Sequence, residues 1–209
     1  MNATKRIQAS HDSAWKDILE HYLPEAIAFC FPEFYKEIDW SQGWVPLDKE
    51  LQAITKDSQA GQRYVDKLIK LYLKDGHSMW VLLHLEVEQN PGPKFPERMF
   101  IYGFRSYDKH RRPIFSCAIL TDSNKHFRPS FHEVKVHQSK LRLDFPLCKL
   151  IDFEKEREKL ENSSNPFATI ILHHLDALAA KKQEPAQRLQ VKLSLTKKLY
   201  EKGFKTRYH

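Results

Sequence analysis

Two carboxylates stand at the end of an apolar run. In WVLLHLEVEQ, at 80–89, Glu86 and Glu88 follow residues hydrophobic enough to lie inside a fold. A buried carboxylate without a partner is unstable, so such acids usually accept hydrogen bonds or bind a metal. Residues two apart on a strand lie side by side, about 6–7 Å apart. The alternative is that both acids form the solvated end of a strand.

Acids placed in this way could hold a magnesium ion, provided that a neighbouring strand supplies another. Mg²⁺ prefers a few carboxylates together with water molecules. A metal held in this way can orient an attacking water and stabilise the charge that builds on a phosphate during hydrolysis. Asp66, in the run DKLIKLYLKDG, is an acid that a paired strand could bring to Glu86 and Glu88.

The pairing of these residues depends on a predicted hairpin. Asp75-Gly76 lies between two runs of alternating residues, which is a strong hairpin signal. A three-residue loop over 75–77 would set Asp66 opposite Glu86 and gather Asp66, Glu86 and Glu88 on one face. A two-residue loop would set Asp66 opposite Leu85, on the other face.

The surrounding elements follow from periodicity and from turn residues. The residues after the hairpin predict a helix over 96–111 and a buried strand over 114–122, so that strand, helix and strand form a βαβ unit with a parallel pair. LRLDF, at 141–145, could add a strand. The remaining predicted helices begin near Asp12, cover 25–31 with a stop at Pro32, and cover 165–181 and 186–201.

Composition bounds the class of protein. The chain has 209 residues with 41% hydrophobic content, a formal charge of +7 and a pI near 9.2, which suits a polyanionic partner but does not require one. Cys30, Cys117 and Cys148 lack C-x-x-C spacing, so we expect small core residues in a reducing compartment. No apolar run approaches the roughly 20 residues that span a bilayer. We therefore expect a soluble, cytoplasmic protein that does not bind membranes.

Basic residues cluster on the predicted helix that follows the hairpin. They form a phosphate-facing stripe or, in the alternative, an ordinary charged helix face. The residues are Arg98, Arg105, Lys109, Arg111 and Arg112.

Several runs in fixed order resemble one known family. They are HDSAWKDILEHYL, EIDW, LDKEL, RYVDKLIKLYLKDG, HLEVEQ and PERMFIYGFRSYDKHRRPIFSCAILTD. Over about residues 10–155 they are similar to the Rpn-type recombination-promoting nucleases, also called putative transposases, of the PD-(D/E)XK nuclease superfamily. The resemblance implies an α/β fold with a restriction-endonuclease-like core, in which helices flank a central mixed sheet, and Mg²⁺- or Mn²⁺-dependent cleavage of DNA. It divides the chain into a nuclease-like domain, 1–155, and a C-terminal helical extension, 156–209.

The resemblance also assigns roles to individual acids. Asp66 resembles the metal-binding aspartate, and Glu86 resembles the acid that opens the E-x-Q signature. Glu88 takes the third catalytic site, where the family usually has Gln and the wider superfamily Lys, so it could serve only as a ligand or base. Glu50 in LDKEL could be a fourth metal-binding acid or a solvated surface residue.

Three functions remain open from the sequence. The first is a metal-dependent DNA endonuclease, with or without a homodimer that cuts both strands. The second is a catalytically silent nuclease fold that binds DNA or a protein, for which the departure at Glu88 is the argument. The third is a structural interaction module that uses the C-terminal helices.

Overall fold

The computed structural model describes residue 15 and residues 17–55, 64–76, 78–86 and 92–180. In parts of one helix and of two paired strands, including Asp66 and Glu86, it describes the backbone alone. Glu88 and the predicted helix 186–201 lie outside the described residues, as does the start of the first predicted helix at Asp12.

The described residues form helices and strands in a mixed α/β arrangement, with helical residues at 17–21 before the first complete helix. The helices are Leu23–Cys30 (α1), Pro32–Glu37 (α2), Asp48–Thr55 (α3), Phe95–His110 (α4), Arg157–Glu161 (α5) and Pro166–Ala180 (α6), with 3-10 turns at Trp40–Gln42 and Leu150–Glu156. The strands are Val45–Pro46 (β1), Tyr64–Tyr72 (β2), Ser78–Glu86 (β3), Ile114–Leu120 (β4), Phe131–Val136 (β5), Ser139–Asp144 (β6) and Leu147–Lys149 (β7).

A five-stranded mixed sheet, in the order β1-β2-β3-β4-β7, organises the first part of the chain. β1, β2 and β3 pair antiparallel, whereas β3 pairs parallel with β4 and β4 with β7. The parallel β3–β4 pair connected through α4 confirms the predicted βαβ unit. LRLDF lies largely in β6, which forms a separate two-stranded sheet with β5 and does not extend the main sheet.

Helices cover both faces of this sheet. On one face, Leu68 of β2 packs with Leu51 of α3 and Tyr102 of α4, and Ala118 and Leu120 of β4 pack with the N-terminal turns of α4. On the other face, the ring of Phe34 in α2 stacks on that of Phe115 in β4, with centroids 4.0 Å apart. The apolar residues of β2 and β4 therefore reach core on both sides, as expected for interior strands.

Pro32 ends one helix and begins the next. The expected stop occurs at Cys30, and α2 then begins at Pro32 itself. Proline lacks the N–H that an interior helical position must donate, but it suits the first turn of a helix, where that N–H has no partner. The prediction that a helix ends at Pro32 was therefore correct. Helix α2, which begins at Pro32, was not predicted.

The chain divides into two compact units, Met1–Lys149 and Leu150–His209, whereas the sequence placed the division between residues 155 and 156. In the second unit, Arg157 on α5 forms an ion pair with Asp176 on α6, with an N–O distance of 2.9 Å. The backbone N–H of Phe167 donates to the side chain of Asn165 at 2.8 Å, which caps the start of α6. α6 covers most of the helix predicted over 165–181.

Candidate active site

Asp66 and Glu86 lie on adjacent strands and on the same face of the main sheet. Asp66 pairs with His84, and Glu86 pairs with Tyr64. Paired residues share a face, and so do residues two apart on one strand, so Asp66, His84 and Glu86 belong together. Asp66 and Glu86 are diagonal neighbours, whose Cα atoms lie about 7–8 Å apart in such a ladder. This is the face that α3 and α4 cover.

Both predicted registers of the hairpin were wrong. The ladder ends at Tyr72 and Ser78, so the connection is longer than either predicted loop. Residues after Tyr72 form contacts elsewhere: Leu73 bridges to Ile38, and the N–H of Lys74 donates to the carbonyl of Glu37 at 2.9 Å. The shift from the first predicted register is two residues along β3, an even number. Asp66 and Glu86 therefore keep the shared face that this register predicted, although they are not directly opposite.

The carboxyl ends of the three parallel strands lie side by side. Glu86 pairs with Leu120 of β4, and Leu120 pairs with Lys149 of β7, which forms one row across the sheet. Asp122 comes two residues after Leu120. Ligand sites in open α/β sheets usually lie beyond the carboxyl ends of the strands. Glu86 therefore lies at the carboxyl edge of the sheet, which is where open α/β sheets commonly bind ligands.

A buried ion pair stabilises this edge. Lys149 Nζ donates to both carboxylate oxygens of Asp122, at 2.7 and 2.9 Å, and to the carbonyl of Phe127 at 3.1 Å. Asp122 also accepts the N–H of Asn124 at 2.7 Å. The side chains of Lys149 and Asp122 have no exposed area. The pair therefore fastens the segment after β4 to β7.

The sequence analysis missed this ion pair. Its one sequence signal is Lys149 itself, which lies between Cys148 and Leu150 in an otherwise apolar stretch. A lysine in such a stretch is rarely buried without a partner. The partner is 27 residues away and could not be identified from spacing.

Glu50 lies near the opposite end of α4 from the row that contains Glu86. Glu50 raises the pKa of His110, the last residue of α4, while burial and Lys109 lower it more strongly. Leu120, in line with Glu86, packs with Phe95 and Met99 at the start of the helix. The two acids therefore belong to different ends of this layer.

The backbone register places Asp66 and Glu86 as diagonal neighbours, near enough for the two residues to share one metal ion. Two acids on one face of adjacent strands can converge on a single cation, and carboxylate oxygens are the ligands that Mg²⁺ prefers. Among the side chains that the structure describes, no group of three or more His, Cys, Asp or Glu could hold a metal. The side chains of Asp66 and Glu86 are not among those, and neither is any part of Glu88.

The predicted basic residues all belong to α4 or follow it directly. Arg98 is half-buried, with its guanidinium carbon 5.7 Å from the centre of the Phe95 ring. Arg105 and Lys109 are exposed and lie seven and eleven positions after Arg98, on the same side of the helix. Arg111 and Arg112 are exposed at its end, where Arg111 forms a 2.7 Å ion pair with Asp108.

The three cysteines are free thiols in the first unit of the fold. Cys117 and Cys148 are buried, and Cys30 is half-buried. Burial raises the pKa of the Cys30 thiol, with a further contribution from its hydrogen bond to Cys148, and burial also raises the pKa of Cys117. Thiols of this kind are weak nucleophiles, which agrees with their expected role as small core residues.

No protein family model, curated protein or solved structure matches this chain. Within the described residues, no helix combines the length and the apolar character needed to cross a membrane.

Proposed function

We propose that this protein is an Mg²⁺- or Mn²⁺-dependent DNA endonuclease with a restriction-endonuclease-like core, of the recombination-promoting nuclease type that its sequence resembles. The supporting observation is the pairing of β2 with β3, which sets Asp66 and Glu86 on one face as diagonal neighbours. The mixed sheet and the parallel connection through α4 agree with such a core. A metal bound there would activate water and stabilise the charge on the phosphate.

The protein side chains have separate roles in this proposal. Asp66 and Glu86 hold the metal, and Glu88 is a further ligand or the base that takes a proton from the attacking water. Arg105 and Lys109 project from the exposed side of α4, where they can bind the DNA backbone. Arg98, Arg111 and Arg112 extend this basic surface to the two ends of the helix.

The test is nicking of supercoiled plasmid by the full chain with Mg²⁺, with Mn²⁺ and with a chelator. Asp66→Asn and Glu86→Gln remove a metal-binding charge while conserving size, and Glu97→Gln removes an exposed acid from α4 as the matched control. We expect metal-dependent nicking by the native protein and by the control, and its loss in both site variants. Circular dichroism and thermal unfolding must show that all four proteins are folded.

The silent nuclease fold predicts a different result. Its supporting observation is Glu88, which stands where the family that the sequence resembles usually has Gln. In that case the native protein binds DNA without cutting it, and Glu88→Gln is the variant in which cutting would appear. Nicking that persists in both Asp66→Asn and Glu86→Gln, or absence of nicking in native and Glu88→Gln proteins alike, would contradict the proposed site.

A further inference from the structure

The β5–β6 ribbon, residues 131–144, is a two-stranded sheet that is not hydrogen-bonded to the main sheet. It pairs from Phe131 with Asp144 to Val136 with Ser139, and it turns over His137 and Gln138. Within the described residues, neither outer edge of the ribbon pairs with another strand. An element of this kind must be held by its side chains or serve a purpose outside the core.

The base of the ribbon packs against α4. The ring of His132 lies 5.1 Å from that of Phe100, and a Cβ atom added to Gly103 would lie 3.1 Å from Leu143 Cδ2. Farther toward the turn, the same face carries a row of aliphatic side chains that are partly exposed. Its members are Val134, Leu141 and Val136, which are 44%, 54% and 71% exposed.

The ribbon runs along α4 toward the basic C-terminal end of that helix. Phe145, just after the ribbon, packs on Phe95 in the first turn of α4, with ring centres 5.9 Å apart. Leu143, two residues nearer the turn, reaches Gly103, eight positions farther along the helix. The direction from Phe145 to Leu143 is therefore also the direction from Phe95 toward Lys109, Arg111 and Arg112.

The ribbon and the loop that precedes it together carry a net positive charge, of which the loop supplies two residues, Lys125 and Arg128. From 123 to 144 there are five Lys or Arg residues and two acids, a net charge of +3. Lys140 and Arg142 contact Glu133 and Asp144 on the face opposite the aliphatic row. Lys135, on that same face, is exposed.

The turn itself holds an unfavourable conformation. His137 has a φ of 54°, in the left-handed region that glycine adopts most easily. Residues held in such conformations are enriched at functional sites. His137 therefore places an exposed side chain at the tip of the ribbon, on a backbone in the left-handed region.

We propose that the β5–β6 ribbon enters a groove of duplex DNA with the aliphatic row against the base edges. Lys135, on the opposite face of the ribbon, then reaches past the outer edge of β5 to a phosphate at the groove wall. This proposal rests on the proposed function, which makes DNA the substrate. The major groove is wide enough for a two-stranded ribbon, and thymine methyl groups offer apolar contacts there. A second copy of the chain fits less well, because three exposed aliphatic side chains provide far less than the roughly 800 Å² that each partner buries in a standard interface.

The test measures binding without cleavage. The full chain carrying Asp66→Asn and Glu86→Gln is titrated with a labelled 20-base-pair duplex in chelator, across a range of salt concentrations. Val134→Ser is compared with Val45→Ser, because both valines are 44% exposed strand residues. Lys135→Gln is compared with Lys74→Gln, an exposed lysine beside the β2–β3 turn.

We expect the ribbon variants alone to weaken binding. Val134→Ser should reduce affinity about fourfold, the value of roughly one buried methyl group. Lys135→Gln should lower the slope of log affinity against log salt by about 0.9, the value for one phosphate contact. His137→Gly removes the exposed side chain at the tip of the ribbon and should weaken binding if that side chain contacts the groove. It should not lower the unfolding midpoint, because glycine accepts this φ, so a loss of binding would not reflect a loss of stability.

Unchanged affinity and salt slope in the three ribbon variants would overturn the proposal. The proposal would also be overturned if the ribbon variants kept their DNA binding but lost binding to anionic phospholipid vesicles. The same holds if they kept their DNA binding but lost a dimer that the native protein forms in sedimentation. Plasmid nicking separates this outcome from failure of the proposed function. Nicking with ribbon-independent DNA binding refutes only the ribbon proposal, whereas ribbon-dependent binding without nicking supports the ribbon and refutes the endonuclease.

Discussion

Replacement of Lys149 by methionine should sharply destabilise the first unit. Lys149 and Asp122 are joined at 2.7 Å, and neither side chain has exposed area. Methionine has about the length of lysine without its charge, so Lys149→Met leaves the Asp122 carboxylate buried with no cation. The carbonyl of Phe127 also loses its 3.1 Å donor.

The expected cost is about 3–5 kcal/mol, the usual penalty when one partner of a buried pair is removed. Domains of this size are stable by about 5–15 kcal/mol, so the variant should retain only part of its free energy of unfolding. Asp122→Leu together with Lys149→Met removes both charges. This double variant should recover most of the lost stability. It should remain about 1 kcal/mol less stable than the native protein, because the N–H of Asn124 loses its acceptor on Asp122.

The assay is urea unfolding monitored by tryptophan fluorescence. All four tryptophans precede Lys149, so the signal reports on the first unit. Lys36→Met is the matched control: Lys36 contacts Glu33 at the same 2.7 Å, but the two side chains are 66% and 81% exposed. Removing an exposed pair should cost less than about 1 kcal/mol. Equal losses in Lys149→Met and Lys36→Met would refute the argument, which attributes the larger loss to the burial of the Lys149–Asp122 pair.

Two other predictions concern α4. Gly103→Val should lower the free energy of unfolding by about 1–3 kcal/mol, measured by urea unfolding, because a Cβ there lies 3.1 Å from Leu143 Cδ2 and 3.2 Å from Ser116 Oγ; a stabilised variant would contradict this close approach. Burial and Lys109 hold the pKa of His110 below its ordinary 6.5, and Glu50 opposes them, so Glu50→Gln should lower that pKa further in an NMR titration. Because the folded state favours the neutral imidazole, the contribution of His110 to stability is present above pH 6.5 and is lost as the pH falls through its folded pKa.

Local periodicity predicted the central elements well. Alternation over the two hairpin strands and helical spacing after them correspond to β2, β3 and α4, and the apolar run at 114–122 corresponds to β4. Each of these signals lies within one segment. Burial on both faces of β4 then indicated the parallel partner, because an interior parallel strand is apolar on both sides.

The elements that the sequence did not predict depend on distant contacts. The hairpin register changed because Leu73 and Lys74 pair with residues 37 and 38 rather than with β3. β7 has only three residues, too few for alternation to reveal. The turn of the β5–β6 ribbon is His137-Gln138, without the Asn-Gly or Asp-Gly signal that usually reveals a hairpin.

The placement of the candidate site survived an incorrect register because only parity matters for the face. Side chains alternate with a period of two, so a two-residue shift keeps Asp66 and Glu86 together, whereas a one-residue slip would separate them. The ladder is constrained on both sides: β2 pairs with β1 at residues 69 and 70, and β3 pairs with β4 from Trp80 to Glu86. A slip of β3 would also move Glu86 out of the row that it shares with Leu120 and Lys149. The same pairing therefore determines both the shared face of the two acids and their position at the carboxyl edge of the sheet.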